Sequence, residues 1–130
     1  MRCVGFYKEL GFGHGDQSSL ASARRDVAAP FEADLLNYLR SATGVAFCPS
    51  ARYDWFDPAI CITDGGWDIL CDGVWYWPST LAYYLDTYHV EVPADLVSRA
   101  RKRSWLAPRF CDRKSARLFA AYRAFWGFPD

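Results

Sequence analysis

The stretch Trp67-Asp68-Ile69-Leu70-Cys71-Asp72-Gly73-Val74-Trp75-Tyr76-Trp77-Pro78 decides how the chain is read. Two strand-like runs flank Asp-Gly, the dipeptide that best supplies the positive φ angles of a tight type I′ turn. A two-residue loop at Asp72-Gly73 pairs Cys71 with Val74, Leu70 with Trp75 and Ile69 with Tyr76. One face then carries Ile69, Cys71, Val74 and Tyr76. The other carries Leu70 and Trp75, with Asp68 opposite Trp77 at its margin. Both faces are largely apolar, so the hairpin is expected to be central in its sheet or to lay one face on a partner. Trp75, in mid-strand, is expected to be buried. Pro78 lacks the N–H needed to continue the ladder and ends the strand.

Helical spacing resumes on both sides of this centre. Downstream, Leu81, Tyr84, Leu85 and Tyr88 share one side of a helix from about Pro78 to Tyr88. Pro93 starts another, with Asp95 in its first turn and Arg99, Arg101, Lys102 and Arg103 towards its end, the order favoured by the helix dipole. Asp112 caps a last helix with an apolar stripe of Leu118, Ala121, Tyr122 and Phe125, and Gly127 with Pro129 stops it. Upstream, Ser18 or Ser19 caps a short helix reaching Asp26. Pro30 opens a helix whose apolar face is Phe31, Leu35, Tyr38, Leu39 and Ala42, ended by Gly44. Gly5–Leu10, Val45–Cys48 and Ala59–Thr63 read as strands, and the glycines of Gly11–Asp16 as a loop. The expected fold is α+β: a small antiparallel sheet with a central Asp-Gly hairpin, flanked by N- and C-terminal helices, in one domain spanning 1–130.

Charge is balanced overall but not locally. The 130 residues hold 15 basic and 15 acidic side chains. Residues 1–52 are net +1, residues 53–98 are net −8 with no Lys or Arg, and residues 99–130 are net +7. Half the residues are apolar (52%), enough for a core and too many for a disordered chain. Zero net charge excludes a generally basic nucleic-acid binder. The acidic middle either neutralises the basic C-terminal helices or faces a basic partner.

The search for chemistry returns little. The five cysteines, Cys3, Cys48, Cys61, Cys71 and Cys111, are odd in number and widely spaced. They are expected to be reduced thiols, with Cys48, Cys61 and Cys71 filling core positions. No apolar run suggests a secretory leader or a membrane span, so the expected location is cytoplasmic. His14 and His89 have no spaced second ligand, so no metal and no cofactor are expected. His14 beside Asp16, Asp54 beside Asp57, and the Asp64/Asp68/Asp72 series are the only acid–base candidates, and turns explain most of the aspartates.

The unusual feature is the crowding of ten of the 23 aromatic residues into 53–98 alongside those eight acids. They cannot all face inward. Exposed rings beside aspartates suit a protein interface, because rings anchor and acids steer. The residues expected to contact a partner are Asp54, Trp55, Phe56, Asp57, Asp64, Asp68, Tyr83 and Asp86.

The series Asp72-Gly73-Val74-Trp75-Tyr76-Trp77-Pro78, Leu81, Tyr83-Tyr84, Tyr88 and Val92-Pro93 resembles a motif, D-G-x-W-x-W-P-x-x-L-x-Y-Y, of a poorly characterised family of small bacterial cytosolic proteins. Asp57-Pro58 and the opening Gly5-Phe6-Tyr7-Lys8-Glu9 extend the resemblance across residues 5–105. Cys71 departs from it, since the family usually has Thr before Asp-Gly. The resemblance implies no catalytic residues. By analogy it implies the manner of an immunity protein, a non-enzymatic module that neutralises a cognate bacterial toxin. The alternatives are a small enzyme acting on a nucleotide or sugar through Asp64, Asp68 or His14, and nucleic-acid binding through the basic C-terminal helices.

Overall fold

The computed structural model describes residues 1–12, 18–47, 51–63 and 68–128. Among them a four-stranded mixed sheet runs in the order β1 (Arg2–Cys3), β6 (Trp75–Pro78), β5 (Ile69–Cys71), β2 (Thr43–Ala46). A separate two-stranded sheet joins β3 (Arg52–Tyr53) to β4 (Cys61–Ile62). The helices are α1 (Leu20–Ala23), α2 (Glu32–Ser41), α3 (Thr80–Tyr88), α4 (Ala94–Lys102) and α5 (Asp112–Trp126). The fold is therefore α+β. The sheet is not purely antiparallel, because β1 pairs with β6 in parallel. The expected strand over Gly5–Leu10 is instead displaced to Arg2–Cys3, and Lys8–Leu10 forms a 3-10 turn.

The β5–β6 hairpin is central, and helices of the same chain cover both of its faces. Trp75 and Trp77 join a cluster with Leu35, Leu39, Leu81, Leu85, Leu96 and Val97 from α2, α3 and α4. Ile69, Cys71 and Tyr76 join the opposite cluster with Phe6 and with Leu118 and Tyr122 from α5. Trp77 is fully buried and Trp75 is 4% exposed. Burying a large apolar side chain is worth roughly 1.5–3 kcal/mol, so both faces of the hairpin need such cover.

The register differs from the expected one by two residues. Cys71 faces Tyr76, Leu70 faces Trp77 and Ile69 faces Pro78. A slip of two leaves every side chain on its expected face, whereas a slip of one would invert them all. Its cause is Asp72, which is fully buried. Its Oδ1 accepts from the backbone N–H groups of Val74 (2.9 Å) and Trp75 (2.7 Å), and its own N–H donates to the Trp75 carbonyl at 3.1 Å. Gly73 and Val74 thus become the central pair of the turn, with positive φ (96°) at Gly73 but not at Val74. Asp72 Oδ2 accepts from Tyr38 Oη at 2.6 Å and from Arg99 Nε at 2.9 Å. The buried carboxylate so ties the turn to α2 and α4.

Other boundaries shift for local reasons. α1 ends at Ala23 rather than Asp26, capped by Ser19, whose side chain accepts from Ser22 N. α2 ends at Ser41, and Gly44 lies within β2 instead of stopping the helix. On α5 the buried residues are Leu118 and Tyr122, with Phe119 and Trp126 packed beside them, while Ala121 and Phe125 face outward. Cys71 is buried as expected, but Cys61 is exposed on β4, correcting its core assignment. Cys3, Cys61, Cys71 and Cys111 are free thiols, and Cys48 lies outside the described residues. No helix among the described residues is long and apolar enough to cross a membrane.

Candidate protein-interaction site

β3 and β4 pair Tyr53 with Cys61 and Arg52 with Ile62, and the segment between them is closed by Asp54 N donating to the Ile60 carbonyl at 2.9 Å. Asp54 opens this loop and is 1% exposed. Its Oδ1 accepts from the backbone N–H groups of Phe56 (2.7 Å) and Asp57 (3.2 Å), an Asx turn of the kind Asp favours. Its Oδ2 accepts from Tyr83 Oη and Tyr88 Oη, both at 2.5 Å. Tyr84 Oη accepts from Trp55 N at 3.1 Å. Three tyrosines of α3 therefore hold the first turn of the loop.

The electrostatics follow from this cage. Burial alone would raise the Asp54 pKa, but the two phenols and two backbone N–H groups favour the carboxylate and leave it below its ordinary value. Conversely, burial and then the Asp54 carboxylate push Tyr83 up to about 12 and Tyr88 higher still. Both phenols remain donors. Outside the cage, Phe56 packs on Tyr88 with centroids 4.4 Å apart. The Arg24 guanidinium lies over both rings, at 4.8 and 4.7 Å.

What this hydrogen-bonded frame presents is largely apolar. Tyr53 is 57% exposed, Trp55 44% and Ile60 41%, with Asp57 also exposed. Aromatic rings held on a fixed backbone lose little entropy on binding, which is what an interface anchor requires.

The expected contact residues separate accordingly. Asp54, Trp55, Phe56, Asp57 and Tyr83 do come together. Asp54 is a correction: it faces inward, so it shapes the loop and has no surface to offer. Phe56 and Tyr83 are half-buried supports. Asp68 is half-buried at the start of β5, where its carbonyl accepts from Ser79 N. Asp86 is exposed on α3 and lies 3.8 Å from Arg40. Asp64, like His14 and Asp16, lies outside the described residues. Sequence reasoning missed Arg24, Tyr84 and Tyr88 as parts of the frame, because they reach it from elements distant in the chain.

The acidic middle is not one free surface. Asp72 pairs with Arg99, Asp86 with Arg40, Glu91 with Arg25 and Asp95 with Arg2. Only the first of these reaches the basic C-terminal third. The other three take arginines of the N-terminal third, which leaves Arg101, Lys102, Arg103, Arg109, Arg113, Lys114 and Arg117 exposed and without an ion pair among the described residues. No cluster of His, Cys, Asp and Glu among the described residues could hold a metal ion. No protein-family model, curated protein or solved structure matches the chain.

Proposed function

We propose that the chain is a non-enzymatic protein-binding module of the immunity-protein kind, neutralising a cognate toxin domain. The observation that carries the reading is Trp55: a large ring, 44% exposed, on a loop whose backbone is locked from beneath by buried Asp54. Exposed apolar side chains that lie together, rather than singly, mark interaction sites. Tyr53 and Ile60 extend the apolar contact, and Asp57 supplies a rim charge for a basic partner. The test is co-expression with the toxin domain encoded beside the gene. Protection of the cells, with a one-to-one complex that Trp55→Ala abolishes, supports the reading. Failure to protect, or a complex indifferent to Trp55→Ala, removes it.

A second reading rests on a separate observation. The seven unpaired basic side chains between 101 and 117 would suit a phosphate backbone. Binding of DNA or RNA that weakens steeply with salt would favour it, and undetectable binding would dismiss it.

A further inference from the structure

One concavity takes none of its lining from the exposed loop over residues 53–60. It encloses about 400 Å³ between α2, the 89–92 segment and α4. That volume falls in the range of small-molecule sites, roughly 300–1,000 Å³. Its wall is mostly apolar, with Val27, Phe31, Leu35, Leu85, Val90 and Val97 among the lining residues.

Two features of the wall are costly for a mere surface dent. Glu32 is 8% exposed and meets His89 Nδ1 with both carboxylate oxygens, at 3.0 and 2.9 Å. The pair is only part-buried, the His89 side chain being 28% exposed, and such an ion pair is a weak source of stability. His89 also sits at the C-terminus of α3 with φ 56°, a left-handed position that Gly or Asn fills with less strain. The imidazole is held there by Nδ1, while Nε2 makes no hydrogen bond among the described residues. When the imidazole is paired as a cation, Nε2–H is a free donor.

The charges around the cavity point the same way. Its two carboxylates are already engaged, Glu32 by His89 and Glu91 by Arg25. Arg101 is the one cation of the wall with no ion pair among the described residues, its guanidinium resting over the Trp105 ring at 5.6 Å. Arg101 is thus an unengaged donor at the edge of an apolar cavity, and His89 Nε2 is a second one when the imidazole is protonated.

We infer that this cavity binds a small apolar carboxylate, its hydrocarbon body among the aliphatic side chains and its carboxylate accepting from Arg101 and His89. The site is independent of the loop around Trp55. The experiment uses octanoate as probe and 1-octanol as its uncharged twin, with isothermal titration calorimetry and amide chemical shifts of the full chain. Saturable one-to-one octanoate binding is expected, shifting Leu35, Val90 and Val97. Arg101→Ala and His89→Asn, the latter keeping a residue that tolerates positive φ, should each weaken octanoate about tenfold and leave octanol unchanged. Ala29→Trp, at a half-buried lining position, should block both probes, while Trp55→Ala should block neither. Octanoate binding that is absent, no tighter than octanol, or intact in Arg101→Ala or Ala29→Trp would overturn the assignment.

Discussion

Arg99 grips Asp72 twice: Nε donates to the carboxylate Oδ2 at 2.9 Å and Nη2 donates to the backbone carbonyl at 3.0 Å. One guanidinium on α4 thereby satisfies both the side chain and the main chain of a fully buried residue in the β5–β6 turn. Removing the guanidinium leaves the buried carboxylate its three other donors but no counter-charge, and breaking such a pair costs about 3–5 kcal/mol. Arg99→Leu should therefore destabilise the chain by that amount in urea unfolding. Asp72→Asn with Arg99→Leu together should cost less than the sum of the two single changes. Strict additivity in that cycle would show that the two groups do not act as a unit.

Asp54 gives a pH signature. Its folded pKa lies below its unfolded value, so its contribution is present above the unfolded pKa of about 3.9 and is lost as pH falls through the folded value. Acid should therefore destabilise the native chain progressively below about pH 4. Asp54→Asn should lower stability at pH 7 and flatten that part of the acid limb. Tyr88→Phe, which removes one hydrogen bond to the charge, should cost about 1.5–3 kcal/mol at pH 7. Denaturation midpoints between pH 2.5 and 7 would decide it, and parallel native and Asp54→Asn curves would contradict the cage.

Two tryptophans should divide stability from binding. Trp75 is 4% exposed in the core, and its replacement by Ala should cost about 3–5 kcal/mol. Trp55→Ala should cost under about 1 kcal/mol, as surface changes do, and raise the dissociation rate of the partner complex. Asp57→Lys should instead slow association, and more so at low salt. Calorimetric melting and binding kinetics at two ionic strengths separate the three effects.

Gly73→Ala tests the turn. The position has φ 96°, and a methyl group there would stand 3.2 Å from Phe110 Cζ. A left-handed backbone costs an L-residue about 1–2 kcal/mol, and Phe110 must also give way. A loss under about 0.5 kcal/mol would mean that Gly73 does not hold a left-handed backbone in this turn.

Thiol chemistry should follow exposure. Alkylation of the native chain, read by peptide mass, should label Cys61 and Cys111 quickly. It should spare Cys71, whose thiol is pushed up by burial and is out of reach. Labelling of Cys71 at the rate of Cys61 would contradict its place beneath α5.

The helices and the hairpin were legible because they are written in local periodicity. Leu81, Tyr84 and Leu85 announce α3 by their spacing alone, and two-sided apolarity announced that β5–β6 would be covered on both faces. The two-residue error in register was only partly local, since Asp72 Oδ1 closes the turn on the N–H groups of Val74 and Trp75 but is itself held from afar. It arises from Asp72, whose carboxylate takes its partners from α2 and α4, far along the chain. β1 and β3 are two residues long, too short to show alternation. The interface loop was half legible. Its rings and turn residues were visible, but Asp54 looked like a surface acid because the phenols that satisfy it come from another helix.

The parallel pairing of β1 with β6 sets an order of assembly. Arg2 and Cys3 lie opposite Trp75 and Tyr76, about seventy residues on, so β1 has no edge to dock against until the β5–β6 hairpin exists. Closing so long a loop is entropically slow and is rewarded by only a few backbone hydrogen bonds. β1 should therefore join after the rate-limiting step of folding, and lesions in it should hasten unfolding while leaving the folding rate almost untouched. The same strand is then the first to come away, a zipper end whose amides should exchange with solvent well before those of β5.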